Sequence, residues 1–409
     1  MLMISLSKNY SDLQCLLNKL EFYSNANGLT VNIEKTKFII FNNSVRQLSN
    51  YAFNYQDKIL ENVKLYKYLG LTFSAFGNFT IAKQELKKSA LKALFKLKKD
   101  MGNFFHFDPC LTMKLFDTLV KPILLYGSEV WGTDIVKDDP IESVHTKFCK
   151  ILLGVGKSAT NSACYGELGR FPLHVAAKLR CIKYWLSLVS PTQSLKISNL
   201  FYKDMINSSH KICWSQKVKN ILARNGLGNI WAEENNNSRA RPTNPFAVIE
   251  MRLQDIEKQN WHGELFNDER GIHGQRNKLR TFRLFKVNYS LEGYLTKVKQ
   301  FHHRRALTKL RISNHDLEIE KGRYSGGYKK VEERKCFHCK DAVEDEKHFL
   351  IKCPLYSKIR DKFIKQNIIH DFIAEEEFFL KLIDPPNRLQ TQAAKYIYEC
   401  FALRSKTKY

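Results

Sequence analysis

Three cysteines and a histidine lie close together in the last quarter of the sequence, and they constrain the fold more than any other feature. Cys336 and Cys339 are separated by two residues, His348 follows after eight, and Cys353 follows after four more. Three thiolates and one imidazole satisfy the tetrahedral coordination that Zn²⁺ prefers, and a Cys-x-x-Cys pair can chelate from one tight turn. Four filled positions leave no place for water, so the spacing predicts a structural zinc site.

The alternative for this cluster is a chance grouping of buried cysteines beside a surface histidine. His338 is a rival ligand, although its place between two cysteines favours a solvent-facing side chain. Asp345 and Glu346 are expected to cap the helix that carries His348. The remaining cysteines are too sparse for a disulfide framework, which predicts reduced and buried side chains. They are Cys15, Cys110, Cys149, Cys164, Cys181, Cys213 and Cys400.

The first part of the sequence predicts a mixed α+β structure. Residues 11–25 carry leucines at helical spacing, and the strings LTVN (29–32) and KFIIF (37–41) indicate two short strands around a turn at 33–36. A further strand pair is expected between Val63 and Phe73, where Gly70 indicates a bulge or a close backbone approach.

From about residue 79 the apolar period becomes helical. Further helices are predicted over 109–125, 141–153 and 173–189, and two amphipathic helices in the tail flank Pro385-Pro386. The polar stretch 233–245 is the predicted linker. In the helix that begins near residue 79, one apolar face comprises Ala82, Leu86, Ala90, Ala93 and Leu97.

Positive charge is the second strong feature. Lys and Arg total 66 against 41 Asp and Glu, which gives a formal net charge of +25. Residues 270–335 alone hold 18 basic and 6 acidic side chains, a net of +12. Such a surplus favours a polyanionic partner such as nucleic acid or an acidic membrane surface. No apolar run approaches the roughly 20 residues that cross a bilayer, so we expect an intracellular protein of the nucleus or cytoplasm without a membrane partner.

Within this basic segment, cations alternate with aromatic side chains, as in a track that binds phosphates and bases. Helical spacing puts Arg304, Lys309 and Arg311 near one face. The alternative is a solvated basic surface over an ordinary core. The candidates for binding nucleic acid are Arg280, Arg283, Lys286, Arg304, Arg305, Lys309 and Arg311. The lysine-rich helix at 82–99 is a weaker candidate.

No catalytic constellation is visible in the residues. Asp138-Asp139 is the single Asp-Asp pair, and it lies in a polar loop before a proline, with no buried strand to set its geometry for Mg²⁺. The phosphate-binding pattern GxxxxGK[ST], the nucleophile pattern GxSxG and the zinc-protease pattern HExxH are absent from the sequence.

Strings spread along the chain resemble the reverse transcriptases of LINE-type, non-LTR retrotransposons. GLTVNIEKTKFIIF (28–41) resembles the end of their palm domain, and KYLGLTF (67–73), LVKPILLYGSEVWG (119–132) and YGELGRFPL (165–173) follow in the family's order. RISNHDLEIEKGRY (311–324), RKCFHC and EDEKHFLIKCPLY resemble the C-terminal region with its cysteine–histidine knuckle. The resemblance covers the chain to about residue 360.

The resemblance implies roles for particular residues. Asn32, Lys35 and Thr36 would belong to the palm motif that follows the catalytic aspartates, with Lys35 near the departing pyrophosphate. The implied primer-grip hairpin comprises Tyr68, Leu69 and Gly70. The implied knuckle ligands are Cys336, Cys339, His348 and Cys353.

The catalytic aspartates of the family mark a departure. There, a Tyr/Phe-Ala-Asp-Asp motif comes directly before a segment like LMISLSKNYSDLQ, whereas this sequence begins at Met1. Because those carboxylates hold the two metal ions of nucleotidyl transfer, Mg²⁺ is implied only for the intact polymerase. We expect a catalytically inactive fragment that binds template RNA and target DNA in target-primed reverse transcription. The alternatives are a polymerase that starts upstream and a stand-alone nucleic-acid-binding zinc protein.

The predicted architecture is mostly α-helical with a small α+β remnant of a reverse-transcriptase palm at the N-terminus. The predicted domains are a palm remnant with primer-grip hairpin (1–77), a helical thumb (78–190), a basic linker region that is flexible near 233–245 (191–330), a CCHC zinc knuckle (331–365) and a helical tail (366–409).

Overall fold

The chain forms two compact units in a computed structural model. The described residues are 4–7, 9–41, 51–102, 104, 107–190, 197–207, 213–235, 244–266, 278–324, 329–367 and 374–407. The first unit comprises Met1–Lys88 and the second Ser89–Tyr409. Most described residues are helical, as the apolar periodicity predicted.

The first unit is a small α+β arrangement. Its elements are α1 (Tyr10–Ala26), β1 (Lys37–Phe38), β2 (Asn54–Tyr55), β3 (Lys58–Ile59), β4 (Glu61–Asn62), β5 (Leu65–Tyr68) and β6 (Leu71–Ser74). β1 pairs with β4 in parallel, whereas β2–β3 and β5–β6 are antiparallel pairs. α1 confirms the helix predicted at 11–25, and Asn9 caps its start, because the Asn9 side chain accepts a hydrogen bond from the amide of Asp12. The buried core of the first unit comprises Leu17, Phe38, Phe53, Tyr55 and Leu60.

The strand predictions for this unit were right at one place and wrong at another. The pair expected between Val63 and Phe73 is confirmed as the β5–β6 hairpin. Leu69 and Gly70 form its turn with φ values of 47° and 86°, so Gly70 serves a two-residue turn and not a bulge. The strand predicted at 29–32 is wrong, because Asn32 instead caps a 3₁₀ turn over Ile33–Lys35.

Helices follow β6 in the described part of the chain. They are α2 (Thr80–Asp100), α3 (Pro109–Leu119), α4 (Lys121–Leu124), α5 (Ser128–Trp131), α6 (Glu142–Leu153), α7 (Asn161–Leu168), α8 (Leu173–Val189), α9 (Ile197–Asn207), α10 (Trp214–Arg224), α11 (Gly228–Asn235), α12 (Pro245–Phe266), α13 (Tyr294–Lys297), α14 (Phe301–Arg311), α15 (Glu318–Lys321), α16 (Ser357–Gln366), α17 (Glu375–Ile383) and α18 (Gln390–Thr407). Within the second unit, α8 packs against α5, α10 and α12, and α14 packs along α18.

The core around α8 shows why that helix lies inside the second unit. Trp185 stacks on Trp231 with ring centroids 5.0 Å apart, and its indole nitrogen donates a hydrogen bond of 2.8 Å to the hydroxyl of Tyr202. The buried members of this core are Val175, Leu179, Ile182, Trp185, Leu188, Tyr202, Val218, Leu222, Leu227, Ile230, Ile249 and Leu253. Their burial stabilises the unit through the hydrophobic effect.

Most of the predicted helices are confirmed. The helices expected at 141–153 and 173–189 are α6 and α8. The single helix expected over 109–125 is interrupted instead, with α3 ending at Leu119 and α4 beginning at Lys121, because Pro122 has no amide hydrogen to donate to the carbonyl of Thr118. Asp108 caps α3 by accepting hydrogen bonds from the amides of Cys110 and Leu111. On α2 the predicted apolar face is buried except at Ala93, which is half-buried.

Burial of the isolated cysteines was predicted correctly for some of them only. Cys149, Cys164, Cys181 and Cys400 are buried, whereas Cys15 is exposed and Cys110 and Cys213 are half-buried. Exposure costs a thiol little, so composition alone does not fix its position.

The larger divisions of the sequence are only partly described. Residues 236–243 of the predicted linker lie outside the described residues, between α11 and α12. The boundaries predicted at 190, 330 and 365 lie within the second unit and stay predictions. Among the described helices, none combines the length and the apolar character that a membrane span requires.

Candidate metal centre

Cys336, Cys339, His348 and Cys353 meet at one point of the second unit, as their spacing predicted. Their four ligand atoms lie within 4.8 Å of one another. Sγ of Cys336 is 3.9 Å from Sγ of Cys353, and Sγ of Cys339 is 3.4 Å from Nε2 of His348. In a tetrahedron with metal distances of about 2.3 Å to sulfur and about 2.0 Å to nitrogen, ligand atoms lie about 3.5–3.8 Å apart. The cluster can therefore hold a metal ion such as zinc.

Backbone hydrogen bonds shape the turn that carries the first two cysteines. The amide of Lys340 donates to the carbonyl of Cys336 at 2.9 Å, and the amide of Cys336 donates to the carbonyl of Ala342 at 2.9 Å. Lys340 has a φ of 63°, a left-handed conformation that turns the chain sharply after Cys339. The turn therefore brings two thiols together from residues that are close in sequence.

A π-helical turn carries His348 and ends directly before Cys353. It spans His348–Lys352, and such turns are uncommon and often occur at functional sites. Oδ1 of Asp345 accepts a hydrogen bond of 2.7 Å from the amide of His348, which confirms the expected capping role of Asp345. The amide of Cys353 donates to the carbonyl of His348 at 2.8 Å, so the turn itself brings the two ligands together.

The protein environment acts differently on the three thiols. Burial raises the pKa of Cys353 to about 12, and it also raises the pKa of Cys336. At Cys339 burial acts in the same direction, but hydrogen bonds from the amides of Asp341 and Ala342 outweigh it and lower the pKa. Hydrogen bonds that favour a thiolate suit a metal ligand, because the metal binds the deprotonated sulfur.

Buried ion pairs attach the metal loop to the surrounding helices. On α18, Arg404 donates to both oxygens of Glu344 at 2.8 and 2.7 Å. Arg280 donates to both oxygens of Glu346 at 2.7 and 2.6 Å, and Nε2 of His315 lies 2.9 Å from Glu346. Burial raises the pKa of Glu346, but Arg280 and His315 outweigh it and lower the pKa to about 2. The loop is therefore anchored by charge as well as by its own turns.

Several predicted nucleic-acid-binding residues lie inside the protein. Arg311 is fully buried and contacts Glu167 at 2.9 Å and Glu292 at 2.6 Å. Lys286 is buried beside Glu292, and Arg304 is buried and donates to a backbone carbonyl. A buried cation is costly unless interior groups compensate it, so these three side chains belong to the core and not to a phosphate-binding surface.

The face predicted for α14 is therefore corrected. Arg304 and Arg311 lie on its buried side, whereas Arg305 is exposed and Lys309 is half-buried. Arg280 is committed to Glu320 at 2.6 Å, in addition to the metal loop. Arg283 is half-buried, and for the residues with surface exposure the role in nucleic-acid binding stays a prediction. They are Arg280, Arg283, Arg305 and Lys309.

Residues with an implied polymerase role form a capped turn in the first unit. The side chain of Asn32 accepts a hydrogen bond of 3.0 Å from the amide of Lys35, and the hydroxyl of Thr36 donates to the carbonyl of Asn32 at 2.8 Å. The carbonyl of Lys35 accepts a hydrogen bond from Tyr66 on β5 at 3.4 Å. The implied primer-grip residues end β5 and form its turn; they are Tyr68, Leu69 and Gly70. Both implied roles stay predictions.

Sequence reasoning missed the acids that neutralise the interior. Glu167 is fully buried, and besides Arg311 it accepts a hydrogen bond of 2.6 Å from the hydroxyl of Tyr294. Burial raises the pKa of Glu167, with Arg311 acting in the opposite direction. The available signal was a single acid in the small and apolar string CYGELG, where a charged residue is out of place unless it is paired.

Comparisons with known proteins point towards transposons. A stretch of 130 residues is 27% identical to an uncharacterized transposon-derived protein of Caenorhabditis elegans. The match covers 31% of this chain and 45% of that protein, so the chain spans less than half of that relative. No family model matches the chain, and no solved structure matches it significantly. The similarity indicates a transposon origin.

Proposed function

We propose that this chain is a C-terminal part of a LINE-type reverse transcriptase that binds template RNA and target DNA and does not itself polymerise nucleotides. The observation that carries the proposal is the net charge of +25. A surplus of this size attracts nucleic acid, since each phosphate contact releases bound counterions. The similarity to a transposon-derived protein supports the same origin.

The positive charge that is available to nucleic acid is carried by surface side chains and not by the interior cations. Arg311 and Lys286 are matched by the carboxylates of Glu167 and Glu292, so they add no unpaired charge to the surface. On α2, by contrast, Lys92, Lys96 and Lys99 are exposed. Surface lysines of this kind provide the sequence-independent part of nucleic-acid affinity.

Zinc at the Cys₃His cluster has a structural role in this proposal. All four coordination positions would be filled by protein ligands, which leaves none for a reacting water. Mg²⁺ belongs to the intact polymerase only. In this chain Asp139 of the Asp138-Asp139 pair lies in a turn before α6, where its Oδ1 accepts a hydrogen bond of 3.3 Å from the amide of Ile141.

Fluorescence anisotropy with labelled single-stranded RNA and duplex DNA tests the binding proposal on the full chain. We expect affinity to fall steeply with salt, as a straight line of log K against log salt concentration. Weak binding that does not depend on salt contradicts the proposal and favours a helical zinc protein with protein partners.

Primer extension on an RNA template tests the catalytic half of the proposal. With Mg²⁺ and deoxynucleotides present, we expect no extended product, because the aspartate pair that binds both metal ions is absent from these 409 residues. An extended primer would show that this half is wrong.

A further inference from the structure

A groove in the second unit has the composition of a binding site. It has a volume of about 690 Å³ and lies between α14, α18 and the loop at 155–158. The lining residues that matter here are Lys278, His302, Arg305, Lys309, Ser313 and Tyr398. Most of them are cationic or aromatic, so the groove is suited to a ligand that carries both negative charge and flat rings.

The cations of the groove keep part of their hydrogen-bonding capacity. Nε of Arg305 donates to the carbonyl of Gly154 at 2.7 Å, which fixes the side chain while its two terminal nitrogens have no partner among the described residues. Lys309 has no ion-pair partner among them either. Lys278 donates to the carbonyl of Ser158. These three cations therefore surround the groove without a carboxylate bound to any of them.

The acids that line the groove are paired with other cations. Glu320 contacts Arg280 at 2.6 Å and Arg323 at 3.1 Å, and Asp316 contacts Arg404 at 3.0 Å. Burial and the neighbouring Arg305 lower the pKa of Lys309, although Asp316 acts in the opposite direction. An anion placed between Lys309 and Arg305 would relieve their repulsion.

Two buried polar atoms beneath the groove have no hydrogen-bond partner among the described residues. They are Oγ of Ser313 and Nδ1 of His315, and both residues line the groove. Ser313 is 2% exposed, so the missing partner is costly unless a ligand or an ordered water supplies it. The groove thus offers neutral polar groups in addition to its cations.

The walls of the groove are fixed and partly aromatic. The side-chain amide of Asn314 accepts a hydrogen bond of 2.7 Å from the amide of Gly156 and donates one of 3.1 Å to Ser158, which holds the loop against the end of α14. On the other side, the exposed ring of Tyr398 lies 6.2 Å from that of His302. Exposed rings beside cations are a surface on which bases of a single strand can stack.

We infer that this groove binds a phosphodiester segment of a single-stranded nucleic acid, with Arg305 and Lys309 at the phosphate and Tyr398 against a base. The inference rests on the proposed function and specifies one place at which it is performed. Single-stranded RNA and DNA share the chemistry that the groove recognises, so both are used as probes.

A charge-matched pair of variants tests the site on the full chain. The groove variant is Arg305→Gln with Lys309→Gln, and the control is Lys203→Gln with Lys219→Gln, which removes two exposed cations of α9 and α10 that do not line the groove. The probes are labelled oligouridylate and oligothymidylate of about ten nucleotides. We expect the groove variant alone to lose about tenfold in affinity, and its log–log salt slope to fall by about 1.4 for two lost contacts to a single strand.

The outcomes separate this inference from the proposed function. If the unmodified chain binds and the groove variant binds equally well, the groove inference is wrong while the proposed function stands. Binding of neither oligonucleotide by the unmodified chain overturns both. A second variant, Tyr398→Leu, is expected to weaken oligouridylate about fivefold or more through lost stacking, and to leave a duplex of equal charge unaffected. Equal weakening of the duplex contradicts the role given to Tyr398.

Discussion

The metal cluster and the basic segment belong to the same unit, yet their sequence patterns predicted the structure to very different degrees. Four ligand residues between 336 and 353 meet as their spacing indicated. In the basic segment, by contrast, the helical face predicted for Arg304 and Arg311 is buried. The difference lies in where the partners are. The cysteine and histidine side chains of the cluster are positioned by turns close to them in sequence. The carboxylates that neutralise Arg311, by contrast, come from distant parts of the chain.

This contrast has a general physical cause. A Cys-x-x-Cys turn and a capped π-turn need only a few neighbouring residues to position their ligands. A charge count records which side chains are cationic, but it does not show which of them form buried ion pairs with an acidic side chain. Desolvation makes a buried cation depend on its partner, and the partner of Arg404 is Glu344, which lies on a different element.

The largest effect is expected at the metal cluster. Cys353→Ser removes a buried ligand, so the chain should lose bound zinc, whose contribution to structural sites is on the order of 10 kcal/mol. Metal content by mass spectrometry and calorimetric unfolding measure the two consequences. Cys15→Ser is the matched control, because it removes an exposed thiol outside the cluster. Unchanged zinc content in Cys353→Ser would contradict the ligand assignment.

The next largest loss of stability is expected when the buried Arg311 of the basic segment is replaced. Arg311→Met leaves the buried carboxyl of Glu167 without its cation, which should cost about 3–5 kcal/mol in the free energy of unfolding. Urea denaturation measures this loss, and the double variant with Glu167→Gln should recover part of it. A loss below about 1 kcal/mol would contradict a large contribution of the buried Arg311–Glu167 pair to the free energy of unfolding.

A local capping interaction should have an intermediate effect. Asp108→Ala removes the side chain that accepts hydrogen bonds from the amides of Cys110 and Leu111 at the start of α3. The expected cost is about 1 kcal/mol. Asp108→Asn, which keeps an acceptor, is the control and should retain most of the stability in urea denaturation. An equal loss in both variants would point to charge and not to capping.

The smallest effect is expected at the exposed side of α14. Lys309→Gln changes a half-buried cation without an ion-pair partner among the described residues, so unfolding should change by less than about 0.5 kcal/mol. Measured next to Arg311→Met, this variant sharpens the contrast between the two sides of one helix. A destabilisation as large as that of Arg311→Met would remove the contrast.

The sequence predicted the fold where local rules decide and missed it where distant contacts do. The helices α6 and α8 and the β5–β6 hairpin all follow from periodicity or turn chemistry. The burial of Glu167, by contrast, depends on packing against distant residues such as Arg311. Gly166 illustrates the limit, because a Cβ there would lie 2.7 Å from the ring of Trp261 on α12. A contact of that separation leaves no trace in a local pattern.

The candidate sites follow the same division. All four members of the Cys₃His cluster were predicted, whereas the groove was not, although Arg305 and Lys309 were among the seven candidate cations. Its remaining features, among them the ring of Tyr398 and the buried hydroxyl of Ser313, come together through the packing of α14 against α18. Spacing along one helix cannot show which side chains of another helix will face it.

X-ray absorption at the zinc edge of the purified full chain tests the central claim most directly. We expect one zinc bound by three sulfur ligands at about 2.3 Å and one nitrogen ligand at about 2.0 Å, with one sulfur lost in Cys353→Ser. A spectrum of nitrogen and oxygen ligands only, or a chain that takes up no zinc while folded, would contradict it.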